Sequence, residues 1–117
     1  SLREYRKKLA RALAVQGRLE IRAGRPQSAR ELLAKADDYL KGESSPGPSR
    51  DIEFLVEDLE TLIYREGVCD EGDRREIAGR IEGIREAIPE QLRKATRRFD
   101  VLRKSLRSGG GPGRSAP

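Results

Sequence analysis

The sequence predicts an all-α fold, an antiparallel bundle of four to five helices with a kink or break at Pro89. Three observations carry this expectation. Apolar residues recur at three- and four-residue steps along most of the chain, the spacing that gathers them on one helix face. No segment shows the strict apolar–polar alternation of a half-buried strand. Gly and Pro interrupt the pattern at Gly24 to Pro26, Gly42 to Arg50, Gly67 to Gly72 and Pro89. The pieces left between these breaks have helix length, and the short connections favour antiparallel neighbours.

The first helix is expected from Leu2 to Ala23. Leu2, Tyr5, Leu9, Leu13, Gln16, Leu19 and Ala23 share a face, which reads as its core stripe. Gly24 can adopt the left-handed backbone that stops a helix. Pro26 then suits the first turn of a second helix, where a missing N–H is harmless. That helix is expected to run to Lys41 on Ala29, Leu32, Leu33, Ala36, Tyr39 and Leu40. A third is expected from Asp51 to Glu66 on Ile52, Leu55, Leu59 and Leu62, widened by Phe54, Val56 and Ile63. Asp73 with Glu76 resembles a capping box, so the fourth helix is expected to start there. Its stripe is Ile77, Ile81, Ile84 and Ile88; past Pro89 the pattern resumes with Leu92, Ala95, Phe99, Leu102 and Leu106. Proline removes a donor and clashes with the preceding turn, so two nearly continuous segments are expected there. Residues 1–107 form the expected bundle, and 108–117, "SGGGPGRSAP", a disordered tail.

Leu13, Gly17, Gly24, Ala29, Leu33 and Ala36 are spaced similarly to the small and large positions of one tetratricopeptide unit. The second half holds no further copy of that spacing, and a solenoid needs several stacked units to bury a core. The stretch is therefore read as a plain helical hairpin, its small residues allowing two antiparallel helices to come close.

Composition narrows the chemistry. The 117 residues include one cysteine and no histidine. Without His there is no Ser-His-Asp or Cys-His arrangement and no Glu-x-x-His metal site. Cys69 is followed by Asp70 and Glu71, which disfavour a thiolate, so it reads as a small apolar residue tucking its loop inward. No phosphate-binding loop follows a strand. Enzymatic activity, a cofactor, a metal and a small-molecule substrate are accordingly not expected. No apolar run is long enough to cross a membrane, and the chain reads as soluble and cytoplasmic.

Charge is more informative. Residues 1–50 hold 12 Lys/Arg against 6 Asp/Glu, residues 51–89 hold 5 against 12, and residues 90–117 hold 8 against 2. The acidic middle either packs beside the basic ends, or leaves them together to face an acidic partner. Arg3, Lys7, Arg11, Arg18 and Arg22 fall within about a third of the first helix's circumference, away from the Leu9 face. Arg93, Arg97 and Lys104, with Lys94 and Arg98, spread over the back of the Phe99 face. These are the candidate contacts to nucleic acid or an acidic partner. Glu53, Glu57 and Glu60 line one side of the third helix, as solvated surface or as partners for Arg on a neighbour. Gly79 and Gly83 could admit a close helix neighbour.

The leading functional expectation is a non-enzymatic helical bundle that binds protein, as an adaptor or by self-association. Leu62, Ile63 and the fourth-helix glycines are its expected open face. The alternative is an RNA- or DNA-binding accessory protein that uses the basic faces of the first and last helices.

Overall fold

The computed structural model describes residues 2–42 and 52–108. Five helices account for nearly all of them: α1 (Leu2–Arg22), α2 (Pro26–Leu40), α3 (Ile52–Val68), α4 (Glu71–Ala87) and α5 (Glu90–Arg107). No strand occurs among the described residues. The expected loop over 43–50 and the expected tail beyond Ser108 lie outside them.

The breaks follow the local chemistry. Gly24 takes a φ of 76°, where a side chain would be strained, and Pro26 opens α2. Helix α3 runs two residues further than expected, to Val68. Helix α4 starts at Glu71 with the extended Asp70 before it, so Asp73 lies inside the first turn and does not cap it. At Pro89 the backbone is extended (ψ 128° at Ile88, 143° at Pro89). This is a reversal and not a near-continuation, because Arg85 meets Asp100 and Glu82 meets Arg103 further along α5.

Helix α3 is the central element, apolar around most of its circumference. On one side Phe54 joins Ala10, Ala14, Leu33, Ala36 and Leu40 of the α1–α2 hairpin. On the other, Leu55, Leu59, Leu62 and Ile63 join Ile77, Ile81, Ile84 and Ile88 of α4 and Phe99 of α5. Leu62 and Ile63 are therefore fully buried, and they are not an open face. Side-chain pairings fix the directions. Lys7, Arg11 and Arg18 meet Glu53, Glu57 and Glu60 in the same order, so α1 and α3 run parallel. Helix α5 also runs parallel to α3, with Arg103 on Glu66 and Leu106 against Gly67. Helices α2 and α4 run the opposite way between them.

The largest departure from the expected packing is the rotation of α1. Its buried positions are Lys7, Ala10, Ala14 and Gly17, whereas Leu2, Tyr5 and Leu19 of the expected core stripe are exposed. The cause is the fit to α2. A Cβ placed on Gly17 would lie 2.8 Å from Leu33 Cγ, so the helices touch at a spacing that only small residues permit. The leucine stripe, on nearly the opposite side of the helix, is left outside.

Candidate docking surface

Helix α1 carries three distinct faces. The inner face is the Ala10–Ala14–Gly17 contact. The second is the basic stripe, which lies along the acidic edge of α3. Lys7 pairs with Glu53, Arg11 with Glu57 through Nε at 3.1 Å, and Arg18 with Glu60 at 3.7 Å. The hydrogen bond and charge of Glu57 hold the Arg11 guanidinium above its ordinary range. Arg3 and Lys7 also sit over the ring of Phe54, and Arg18 lies 5.2 Å from the centroid of Tyr64. Of the two ways to arrange the charge blocks, the acidic middle thus packs beside the basic N-terminal end. Lys7, expected at the surface, is only 9% exposed.

The third face is apolar and open. Leu2, Tyr5 and Leu19 are 67%, 64% and 55% exposed, with Val15 beside them. Leu9 between them is half-buried, while Ala12, Gln16 and Ala23 continue the row at the surface. The spacing 2, 5, 9, 12, 16, 19, 23 is an unbroken heptad alternation of the kind that packs one helix on another. At its C-terminal end the row meets a hollow of about 180 Å³, lined by Val15, Leu19, Ile21, Tyr64 and Leu106, with Arg18 and Arg22 at its margin.

The C-terminal cations are placed differently. Arg93, Lys94, Arg97, Arg98 and Lys104 are all exposed on α5. Arg98 lies 4.7 Å from the Phe99 ring centroid. Arg93 and Arg97 border a groove shared with Glu82, Glu86 and Asp100. Helices α1 and α5 do not pack along each other, and both line the hollow that holds Leu19 and Leu106. Gly79 and Gly83 are exposed, and no neighbouring atom lies within 4 Å of where their Cβ atoms would be.

Two ionic clusters were not legible as such. In one, Arg80 grips Asp37 with both terminal nitrogens and reaches Asp58 at 3.2 Å, while Arg65 approaches Asp37 at 3.1 Å. This links α2, α3 and α4 through two carboxylates and two guanidiniums. Burial pushes the Asp37 carboxyl up. Hydrogen bonding with Asp58 and Arg80, and the charges of Arg80 and Arg65, outweigh it and hold the group below its ordinary 3.8. In the other, Arg103 clasps Glu66 through Nε and Nη2, each at 2.9 Å, and also bonds Glu82. The hydrogen bond from Arg103 lowers Glu82, and Arg103 itself is raised. Asp37, Asp58 and Glu66 sit inside apolar arcs of their helices, which was the available signal. Both clusters fasten helices to one another. Cys69 is half-buried, with Sγ 3.3 Å from the Glu66 carbonyl, and burial raises its thiol. Among the described residues no group of His, Cys, Asp and Glu could hold a metal ion, and no helix is long and apolar enough to cross a membrane.

Comparison with protein-family models, with curated proteins and with solved structures gives no match for this chain.

Proposed function

We propose that this chain is a non-enzymatic protein-interaction subunit whose docking surface is the outer face of α1. The observation that carries the reading is the heptad row in which Leu2, Tyr5 and Leu19 are exposed and Leu9 is half-buried between them. Soluble chains seldom leave apolar patches larger than a few hundred Å² open unless something covers them. Scattered surface leucines need no explanation, but a row spaced at three and four residues along a whole helix is the pattern of a helix-docking seam. Among the described residues the other exposed large apolar side chains, Tyr39 on α2 and Leu92 and Val101 on α5, form no such row. The test is capture of binding proteins from host extract by the parent chain and by Tyr5→Glu/Leu19→Glu. Proteins retained by the parent and lost by the variant support the reading; identical retention by both contradicts it.

A second reading has its own observation, the exposed cations of α5. Arg93 and Arg97 border Glu82, Glu86 and Asp100 in their groove, but Lys94 and Arg98 are like charges four residues apart, a spacing that costs helix stability unless an anion lies over them. An RNA or DNA backbone would supply one. Binding would then fall steeply with salt and depend little on base sequence. Anisotropy titrations of hairpin RNA and duplex DNA against the parent and Arg97→Glu/Lys104→Glu decide it. Equal, weak binding by both proteins rules it out. Reversing Arg11 or Arg18 is a poor probe, because each would set a carboxylate against Glu57 or Glu60.

A further inference from the structure

The outer face of α1 has the marks of a surface that fits its own copy. We propose that two chains form a two-fold dimer in which the α1 helices pack antiparallel through Leu2, Tyr5, Leu9 and Leu19. This rests on the docking reading above and names the occupant.

Three features select a second copy in this orientation. The first is charge. Arg6 and Glu20 border the row on the same side, two heptads apart, and such flanking residues set the orientation of paired helices. Glu20 pairs with Arg25 of its own chain, and antiparallel packing adds Arg6 of the other chain beside that carboxylate, twice. Parallel packing would instead set the exposed N-terminal cations Arg6 and Lys8 beside their own copies. The antiparallel pair also aligns opposite ends of the two helix dipoles.

The second is shape. The row ends at the hollow beside Val15 and Leu19, with Tyr64 and Leu106 at its floor. Antiparallel packing delivers the N-terminal end of the partner copy there, carrying its most exposed apolar side chains, Leu2 and Tyr5. Each chain would fill the hollow of the other, so the contact closes on itself and does not propagate. The third is the single polar position in the row, Gln16. One polar residue in an apolar seam fixes register at some cost in stability. Helix α1 is about 30 Å long, so the seam is narrow. Interfaces below about 1,200 Å² are weak and reversible, and the dimer accordingly forms at micromolar concentration.

Sedimentation equilibrium of the full chain across the micromolar range reads this directly. The parent is expected to shift from one to two chains. Tyr5→Glu/Leu19→Glu should stay monomeric, with dissociation raised at least about 100-fold by carboxylates in the seam. Circular dichroism checks that both remain helical. Arg6→Glu and Glu20→Arg should each weaken the dimer severalfold, and the double variant should recover it. A parent that remains monomeric throughout overturns the proposal. So does a dimer indifferent to Tyr5→Glu/Leu19→Glu, or a double variant no better than the single ones. A monomeric parent that still loses its captured proteins on Tyr5→Glu/Leu19→Glu would leave the docking reading standing and remove only the self-partner. Direction has a second readout in a Cys69→Ser background. Leu2→Cys and Leu19→Cys chains, mixed and oxidised, should cross-link to each other; disulfides only within each variant would contradict antiparallel packing.

Discussion

Helices α1 and α4 flank α3 on opposite sides, and each has one clear apolar stripe in the sequence. Their fates differ. The isoleucine row of α4 is buried to a residue, whereas most of the leucine row of α1 faces outward. Apolar periodicity alone does not separate the two cases. Helix α4 has only isoleucines to offer α3, and its opposite face carries Gly79, Gly83, Glu76 and Glu86. Helix α1 has two candidate faces, and the smaller one goes inside. Ala10, Ala14 and Gly17 let α2 approach closely, and that rotation brings Lys7, Arg11 and Arg18 onto the acidic edge of α3. Close packing and a charge ladder are satisfied together only with the leucines outside.

The contrast can be broken first where it is strongest. Replacing Ile81 by Ala opens a cavity in the α3–α4 core and should cost about 3–4 kcal/mol in urea unfolding. Leu19→Ala, chemically the same kind of truncation, should change monomer stability by less than about 0.5 kcal/mol. Arg80→Ala should cost about 3 kcal/mol, because Asp37 and Asp58 would keep their burial without their main counter-ion. Gly17→Val should cost about 2 kcal/mol by driving a methyl into Leu33, although Val is the more apolar residue.

Acid sharpens the comparison further. Asp37 and Glu82 titrate below their ordinary values of 3.8 and 4.5 in the folded chain. A depressed folded value contributes stability that is present above the unfolded value and lost as pH falls through the folded one. Stability should therefore be flat near neutrality and decline below about pH 4.5, and Asp37→Asn should make that decline shallower. The ladder between α1 and α3 is more exposed, and Arg11→Gln should cost no more than about 1 kcal/mol.

Much of this was legible in the sequence. The all-helical bundle, an interruption at Pro89 and the α4 stripe follow from apolar spacing and from Gly and Pro, which act locally; the reversal of the chain at Pro89 does not. The rotation of α1 did not, because the contact that decides it joins Gly17 to Leu33 across a turn, and volume pairing between helices is invisible to a one-helix pattern. The Asp37–Asp58–Arg65–Arg80 cluster escaped for the same reason, since its members lie on three helices and only their position within apolar arcs hints at burial. Glu53, Glu57 and Glu60 were recognised as a possible match for arginines on a neighbouring helix; that α1 supplies them required its orientation.

The central claim is that α1 turns its small residues inward and keeps its leucine row open for docking. Thiol labelling of Leu19→Cys and Ala14→Cys chains, each in a Cys69→Ser background, tests this most directly under native conditions. At high dilution Leu19→Cys should react nearly as fast as a free thiol and Ala14→Cys slowly. Raising the concentration should slow only Leu19→Cys, as the second copy covers it. Equal protection of both positions at the highest dilution would mean that the leucine row is in the core, and would contradict the account.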